Sequence, residues 1–356
     1  MPKTILIAPL NWGLGHATRC IPIIKALLQK KHTVILASDG VALALLKKEF
    51  PALNAETLPS YQITYPENGN FVIQMAKLVP GILKAIKQER LALEKLVEKH
   101  QIDIVISDNR YGMYHTSVKS IYVTHQIKVA APFGEDLLAK LQQKFLKHFD
   151  EIWIPDVEGA INLSGKLGHN SNVPKNALYI GALSRFKSNF KSVNQVAEQE
   201  GYVLAVISGP EPQRSVFEKM LVEQLSKLAM PSVIVGGNPN GKAIKTEGNL
   251  TYFNFLETDK LRSLLTNASV IISRSGYSTI MDLVSLKKKA ILIPTPGQTE
   301  QEYLANYLKN SGLFYSVNQN DFDVEKALLA LKKMTENTRF IAQEFSKDLA
   351  VIINTI

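Results

Sequence analysis

An apolar run from Ala268 to Ile272 enters the turn Ser273-Arg274-Ser275-Gly276 and then a helical pattern from Tyr277. This strand, turn and helix constrain the fold more than any other stretch. A run without polar alternation suits a strand covered on both faces, the parallel strand of an α/β sheet. The first turn of the following helix has free N–H groups, which favour an anion such as a diphosphate. Gly276 leaves room for ligand oxygens to approach the backbone. Ser278 and Thr279 precede Asp282 by four and three residues and share its helical face. A carboxylate there suits the two hydroxyls of a ribose. A second strand, Lys289 to Pro294, leads to Gln298, Glu300, Gln301 and Asn306, polar groups suited to sugar hydroxyls. The plain alternative is an ordinary βα unit in which Ser275 caps the helix and Asp282 is solvated.

The N-terminal half opens in a similar way. Lys3 to Pro9 reads as a strand, and Gly13-Leu14-Gly15-His16-Ala17-Thr18 turns into a helix reaching about Lys30. The turn is close to a dinucleotide fingerprint, and Asp39 ends the second strand where a ribose-binding acid would sit. An NAD(P)-dependent oxidoreductase is therefore one alternative, although Thr18 replaces the third glycine. His16 is a candidate general base for a hydroxyl. Asp108, ending the strand Ile102 to Ser107, is either a second candidate base, an orienter of His16, or the cap of its own turn.

Taken together, Ser273-Arg274-Ser275-Gly276 to Asp282, the Pro294 strand and the Gln-rich segment resemble the donor-sugar signature of glycosyltransferase family 28. The peptidoglycan N-acetylglucosaminyltransferases are its best-known members. The resemblance implies a GT-B fold, two Rossmann-like doubly wound parallel-sheet domains facing an interdomain cleft. It implies inverting, metal-independent transfer of a sugar from a nucleotide-diphosphate donor, here a UDP-sugar, with no further cofactor. On the donor side it carries over to Ser275, Gly276, Tyr277, Ser278, Thr279, Gln298, Glu300 and Gln301. Asp282 stands where the family usually has Glu. Ser208-Gly209 resembles the glycine-rich loop near the diphosphate, with Gln213 as a further polar contact, although Pro210 and Pro212 lack N–H groups. Gly181 to Arg185 resembles a segment that would bring Arg185 to the diphosphate, and Phe255-Leu256-Glu257 a loop whose Leu256 backbone reads uracil. On the acceptor side the resemblance covers Gly13, Gly15, His16 and Arg19, and more loosely His125 and Gln126.

The domain boundaries read from the chain are 1–183 for an acceptor domain, 184–200 for a polar linker, 201–335 for a donor domain, and 336–356 for a C-terminal helix packing back on the first. Phe71 to His100 reads as two helices broken near Pro80-Gly81. The 356 residues suffice for two cores, and 46% hydrophobic with 21% charged is a globular composition. The net charge of +9 admits an anionic partner, but no nucleic-acid motif accompanies it. Neither a membrane-length apolar run nor a signal peptide is evident, and Cys20 is the single cysteine. A cytoplasmic location is expected. Leu78 to Lys99 and Leu137 to Phe149 carry apolar faces flanked by lysines, which would suit a lipid-linked acceptor and peripheral membrane contact. Helices packed on the sheet with solvated lysines are the more common explanation and the favoured one. No metal-ligand spacing is found; Asp321-Phe322-Asp323 reads as a helix cap. A nucleotide-sugar epimerase and a non-catalytic sugar-nucleotide-binding protein complete the alternatives.

Overall fold

The computed structural model describes residues 1–61, 71–128, 135–186, 201–237, 244–334, 345, 347 and 349–356. The chain forms two compact units. The first comprises Met1–Glu158, Lys166–Leu183 and Lys347–Ile356, and the second Gly159–Gly165 and Ser184–Ser346.

In the first unit β1 (Thr4–Pro9), α1 (Gly15–Gln29), β2 (Thr33–Ser38), α2 (Gly40–Glu49), β3 (Asn54–Thr57), α3 (Phe71–His100) and β4 (Ile104–Asp108) come first. They are followed by β5 (Lys119–Val123), α4 (Glu135–Leu146), β6 (Glu151–Ile154) and β7 (Ala177–Tyr179). The strands form one parallel sheet in the order β3-β2-β1-β4-β5-β6-β7. The central strands β1 and β4 are apolar and buried on both faces, as helix-covered parallel strands must be. The strand order reverses between β1 and β4, so the loops after them open at the point where such sheets bind ligands. His16 follows β1 and Asp108 ends β4. Their strands pair directly, Pro9 opposite Asp108.

In the second unit β8 (Val203–Val206), α5 (Gln213–Leu225), β9 (Ser232–Val235), β10 (Ile244–Glu247), β11 (Leu250–Phe253) and α6 (Thr258–Asn267) precede β12 (Val270–Ser273). Then come α7 (Tyr277–Ser285), β13 (Ala290–Leu292), α8 (Thr299–Asn310), β14 (Tyr315–Ser316) and α9 (Val324–Lys333). The sheet order is β10-β11-β9-β8-β12-β13-β14, parallel except for the β10–β11 hairpin. Here the order reverses between β8 and β12. The Ser208-Gly209 loop and the Ser275-Gly276 turn therefore leave adjacent strand ends. Apolar residues of α5, α9 and the central strands pack into one core, with Phe217, Leu221, Ile272 and Ile291 fully enclosed. A last helix, α10 (Leu349–Ile353), packs on α1.

The structure departs from the sequence reading in several places. α3 runs unbroken through Pro80. That proline is exposed. The hairpin strand β10 has no apolar run to announce it, and β14 is only two residues long, within Leu313-Phe314-Tyr315-Ser316-Val317. Residues Gly159–Gly165, placed in the first domain from sequence, cluster with the second unit. There the Tyr307 hydroxyl donates to the Asn162 carbonyl oxygen at 3.2 Å. Most of the expected linker 184–200 and of the first half of the expected C-terminal helix 336–356 lies outside the described residues.

Candidate active site

In the first unit, the β1–α1 loop is fixed before it reaches His16. Leu10 N–H donates to the Asp108 carbonyl at 2.9 Å. The Asn11 amide donates to Asp39 at 3.0 Å and its oxygen accepts the Ala42 N–H at 3.2 Å. Gly13 then turns the chain with φ +72°, a left-handed conformation that side chains disfavour. His16, in the first turn of α1, places Nδ1 2.8 Å from Asp108 Oδ1. Asp108 is completely buried and takes a bidentate pair from Arg19 Nε and Nη2. Arg19 Nη1 donates to His125 Nδ1 at 3.1 Å.

These contacts set the protonation states. Burial would raise the Asp108 carboxyl, but the charges and hydrogen bonds of Arg19 and His16 outweigh it and hold it at about 2. Burial, and then the Arg19 charge, pushes the His16 imidazole below its usual value, with Asp108 opposing. His16 is thus neutral at pH 7. Donation of Nδ1–H to Asp108 leaves the Nε2 lone pair available as a base. Of the three roles considered for Asp108, the buried carboxylate, both of whose oxygens are engaged by Arg19 and His16, fits the orienter of His16. Arg19 and His125, expected from sequence as acceptor contacts, are buried; Arg19 binds Asp108, lies with Nη2 2.9 Å from His16 Nδ1 and donates to His125. Gln126 stays half-buried, and Gly13 and Gly15 shape the turn.

Asp39 is unavailable for a ribose. It ion-pairs with the fully buried Arg110, which also binds Glu89 at 2.8 Å and the Pro9 carbonyl at 2.9 Å. Tyr61 and the Gly112 N–H donate to the other Glu89 oxygen at 2.7 and 3.0 Å. This removes the main support for a dinucleotide site. Sequence spacing gives no sign of the network, because its members lie on separate elements.

In the second unit, Gly276 is the N-cap of α7, and an added Cβ would meet nothing nearer than Thr279 Oγ1 at 3.9 Å. The space beside the first-turn amides is open. Ser278 and Thr279 are half-buried on the face of Asp282. Asp282 accepts from the Ser184 hydroxyl at 2.6 Å. Burial raises its carboxyl to about 6, despite the Arg185 charge, the Ser184 hydroxyl and the Arg185 N–H. Arg185 stacks over Phe186 at 4.7 Å and its buried Nε has no partner among the described residues. Ser184, to which the sequence reading gives no role, lies 98 residues from Asp282 and only the fold joins them.

Other predicted donor residues separate into ligand-facing and framework groups. Ser208 and Gly209 are exposed after β8, Gly209 with φ +112° and open space around it. Gln298, at the N-cap of α8, is exposed, Glu300 half-buried, and Leu256 half-buried in the β11–α6 loop. Ser275, Tyr277 and Gln301 are buried. Ser275 Oγ donates to the Gln301 carbonyl at 2.8 Å, and Gln301 Oε1 accepts the Thr295 N–H at 2.9 Å. The Ser275 hydroxyl and the Gln301 side-chain oxygen fasten the β12 and β13 loops and α8 together. Gln213 likewise gives its carbonyl to Arg274, at 3.2 Å, while its own Oε1 is buried without a partner among the described residues. Arg274, buried over the Phe217 ring at 3.8 Å, also donates to Pro294 O and Gln319. It ties α5, β12 and β13 around the cap. Asp323, the sequence-predicted cap, accepts the Lys326 N–H at 3.0 Å.

Comparison with known proteins agrees with this arrangement of two nucleotide-type folds. Residues 220–353 match the glycosyltransferase family 28 C-terminal domain, and residues 4–126 match a glycosyl transferase family 1 domain. The spinosyn rhamnosyltransferase SpnG superposes with a TM-score of 0.71 over 100% of this chain and 99% of its own, at 14% identity. The chain has the GT-B fold, carries a family 28 C-terminal domain and is a glycosyltransferase. An uncharacterized glycosyltransferase of Methanosarcina acetivorans is 24% identical over 329 residues, 86% of this chain and 84% of the relative. The UDP-N-acetylglucosamine–N-acetylmuramyl-(pentapeptide) pyrophosphoryl-undecaprenol N-acetylglucosamine transferase of Histophilus somni is 22% identical over 300 residues, 81% of this chain and 78% of that enzyme.

Proposed function

We propose that this glycosyltransferase moves a sugar from a UDP-sugar to an acceptor hydroxyl with inversion at the anomeric carbon and without a metal ion. The observation that carries the donor assignment is the open Gly276 cap of α7 with Asp282 one turn further in. The diphosphate lies against the α7 amides and the Ser208-Gly209 loop, and Asp282 accepts the ribose hydroxyls. Arg185 Nε supplies a further donor to the phosphates. The name of the Histophilus somni relative, with its UDP-linked donor, supports uridine as the nucleoside.

In the reaction, His16 Nε2 takes the acceptor hydroxyl proton as that oxygen bonds to the anomeric carbon. The bond to the UDP oxygen breaks, and its electron pair stays with UDP. The α7 amides and Arg185 stabilise that developing charge, the task a cation performs in other designs. Asp108 holds the imidazole tautomer and balances the imidazolium. A single displacement inverts the configuration. A lipid-linked acceptor is part of the proposal, supported by the undecaprenol acceptor in the same relative's name. No helix among the described residues is long and apolar enough to cross a membrane, so the protein would meet such an acceptor from the membrane surface.

The test is a turnover assay with radiolabelled UDP-hexoses, with and without EDTA and with and without acceptors. UDP release that rises with acceptor, yields an anomer opposite to the donor's and is indifferent to EDTA is expected. An epimerised UDP-sugar formed without acceptor would instead establish the epimerase. Binding without turnover would leave a sugar-nucleotide sensor.

A further inference from the structure

His16 and Arg19 stand three residues apart at the start of α1, so both side chains leave one face of the helix. That face meets the end of β4. Arg19 Nε and Nη2 take the two oxygens of the fully buried Asp108, and His16 Nδ1 reaches Oδ1 at 2.8 Å. Nη2 also lies 2.9 Å from that same Nδ1. The carboxylate is thus shared between a permanent cation and an imidazole, and sharing reverses its effect on the histidine. Alone with His16, a buried Asp108 would favour the imidazolium, because the proton would make the pair neutral. With Arg19 in place the neutral imidazole already completes a balanced set. A proton would add a buried charge with no counter-charge.

Among the described residues, the other titratable neighbours supply no second anion. Cys20, also on α1, places its thiol 3.7 Å from Asp108 Oδ2, and burial pushes that thiol well up, so it stays uncharged. His125, after β5, accepts from Arg19 Nη1 on its Nδ1 at 3.1 Å.

We propose that Arg19 is a positioning residue of the base: it holds Asp108 by both oxygens and keeps the His16 imidazole free of a proton until the acceptor supplies one. The inference rests on His16 being the base. Gly15-His16-Ala17-Thr18-Arg19 is then one proton-transfer element, whereas the family resemblance put Arg19 among the acceptor contacts. Arg19 is 3% exposed and acts through Asp108 and His16.

The test follows the His16 imidazole by NMR in protein labelled with ¹³C-histidine, its signal identified by its loss in His16→Ala. Removing the guanidinium in Arg19→Gln is expected to raise the pH at which His16 titrates by about one unit or more. Arg19→Lys keeps the charge and is expected to stay within about half a unit of the wild type, with kcat lowered because an ammonium lacks the planar fork. Asp108→Asn, with and without Arg19→Gln, repeats the comparison with no carboxylate left to strand, and the same upward step is expected. An unchanged or lower titration in folded Arg19→Gln, or equal shifts in Arg19→Gln and Arg19→Lys, would overturn the proposal. Absence of the step in the Asp108→Asn pair would do the same. In turnover, the acid limb of kcat/KM should move with the NMR titration while the UDP-sugar KM stays within about twofold. A limb that stays put while the imidazole shifts would instead refute His16 as the base.

Discussion

His16→Ala is expected to lower kcat by about 10²–10⁴-fold, the usual contribution of a positioned general base. UDP affinity, measured by calorimetry, is expected to stay within about twofold, because the proposed mechanism gives His16 a role toward the acceptor and none toward the donor. The wild-type pH profile should show the same group. The folded imidazole binds its proton less tightly than a free one, so the base form persists below the ordinary histidine range. The acid limb of kcat/KM should therefore fall below pH 6.5 and vanish in His16→Ala. Asp108→Asn combines two effects. It loses the carboxylate that sets the His16 tautomer, and it strands the buried Arg19 charge. A fall in both kcat and stability is expected, whereas unaltered turnover in either variant would remove the base assignment.

Arg110→Met is expected to destabilise the first unit by about 3–5 kcal/mol in urea denaturation, the typical cost of removing one partner from a buried ion pair. Asp39 and Glu89 would then face each other's elements without the cation between them. Burial already raises the Glu89 carboxyl, while the Arg110 charge and the Tyr61 and Gly112 hydrogen bonds hold it down. Without Arg110 its proton is held more tightly in the folded chain than in the unfolded one. The folded state then binds extra protons as pH falls, so the loss should be smaller at pH 5 than at pH 8. Adding Glu89→Gln should recover part of it at pH 8. Equal losses at the two pH values would show that the network's charge is not what matters.

The fold was largely legible because its signals are local. Parallel strands such as β1, β4 and β12 are continuous apolar runs, and the glycine-bearing turns after β1 and β12 mark where helices begin. The elements that escaped have weak local signals, namely the exposed hairpin strand β10 and the two residues of β14. Pro80 misled because proline ordinarily breaks a helix, and sequence does not show that this one is exposed. At the site, motif positions were legible but roles were not. Whether Ser275, Gln301 or Arg19 faces a ligand or the interior depends on partners 26, 6 and 89 residues away. Ser184, which holds Asp282, stands in the Gly181 to Arg185 segment at a position to which the motif gives no role.

Asp282 gives the most direct test of the donor assignment. Its carboxyl, raised to about 6, must be ionised to accept two ribose hydroxyls. Uridine has no titrating phosphate, and its affinity should decline as pH drops below about 6. The deciding measurement is a calorimetric titration of wild-type protein and Asp282→Ala with UDP at pH 8. Saturable one-site binding to the wild type, weakened at least tenfold in the variant, is the expected result. No binding to the wild type, or equal affinity in the two, would contradict a diphosphate on the α7 cap with its ribose on Asp282.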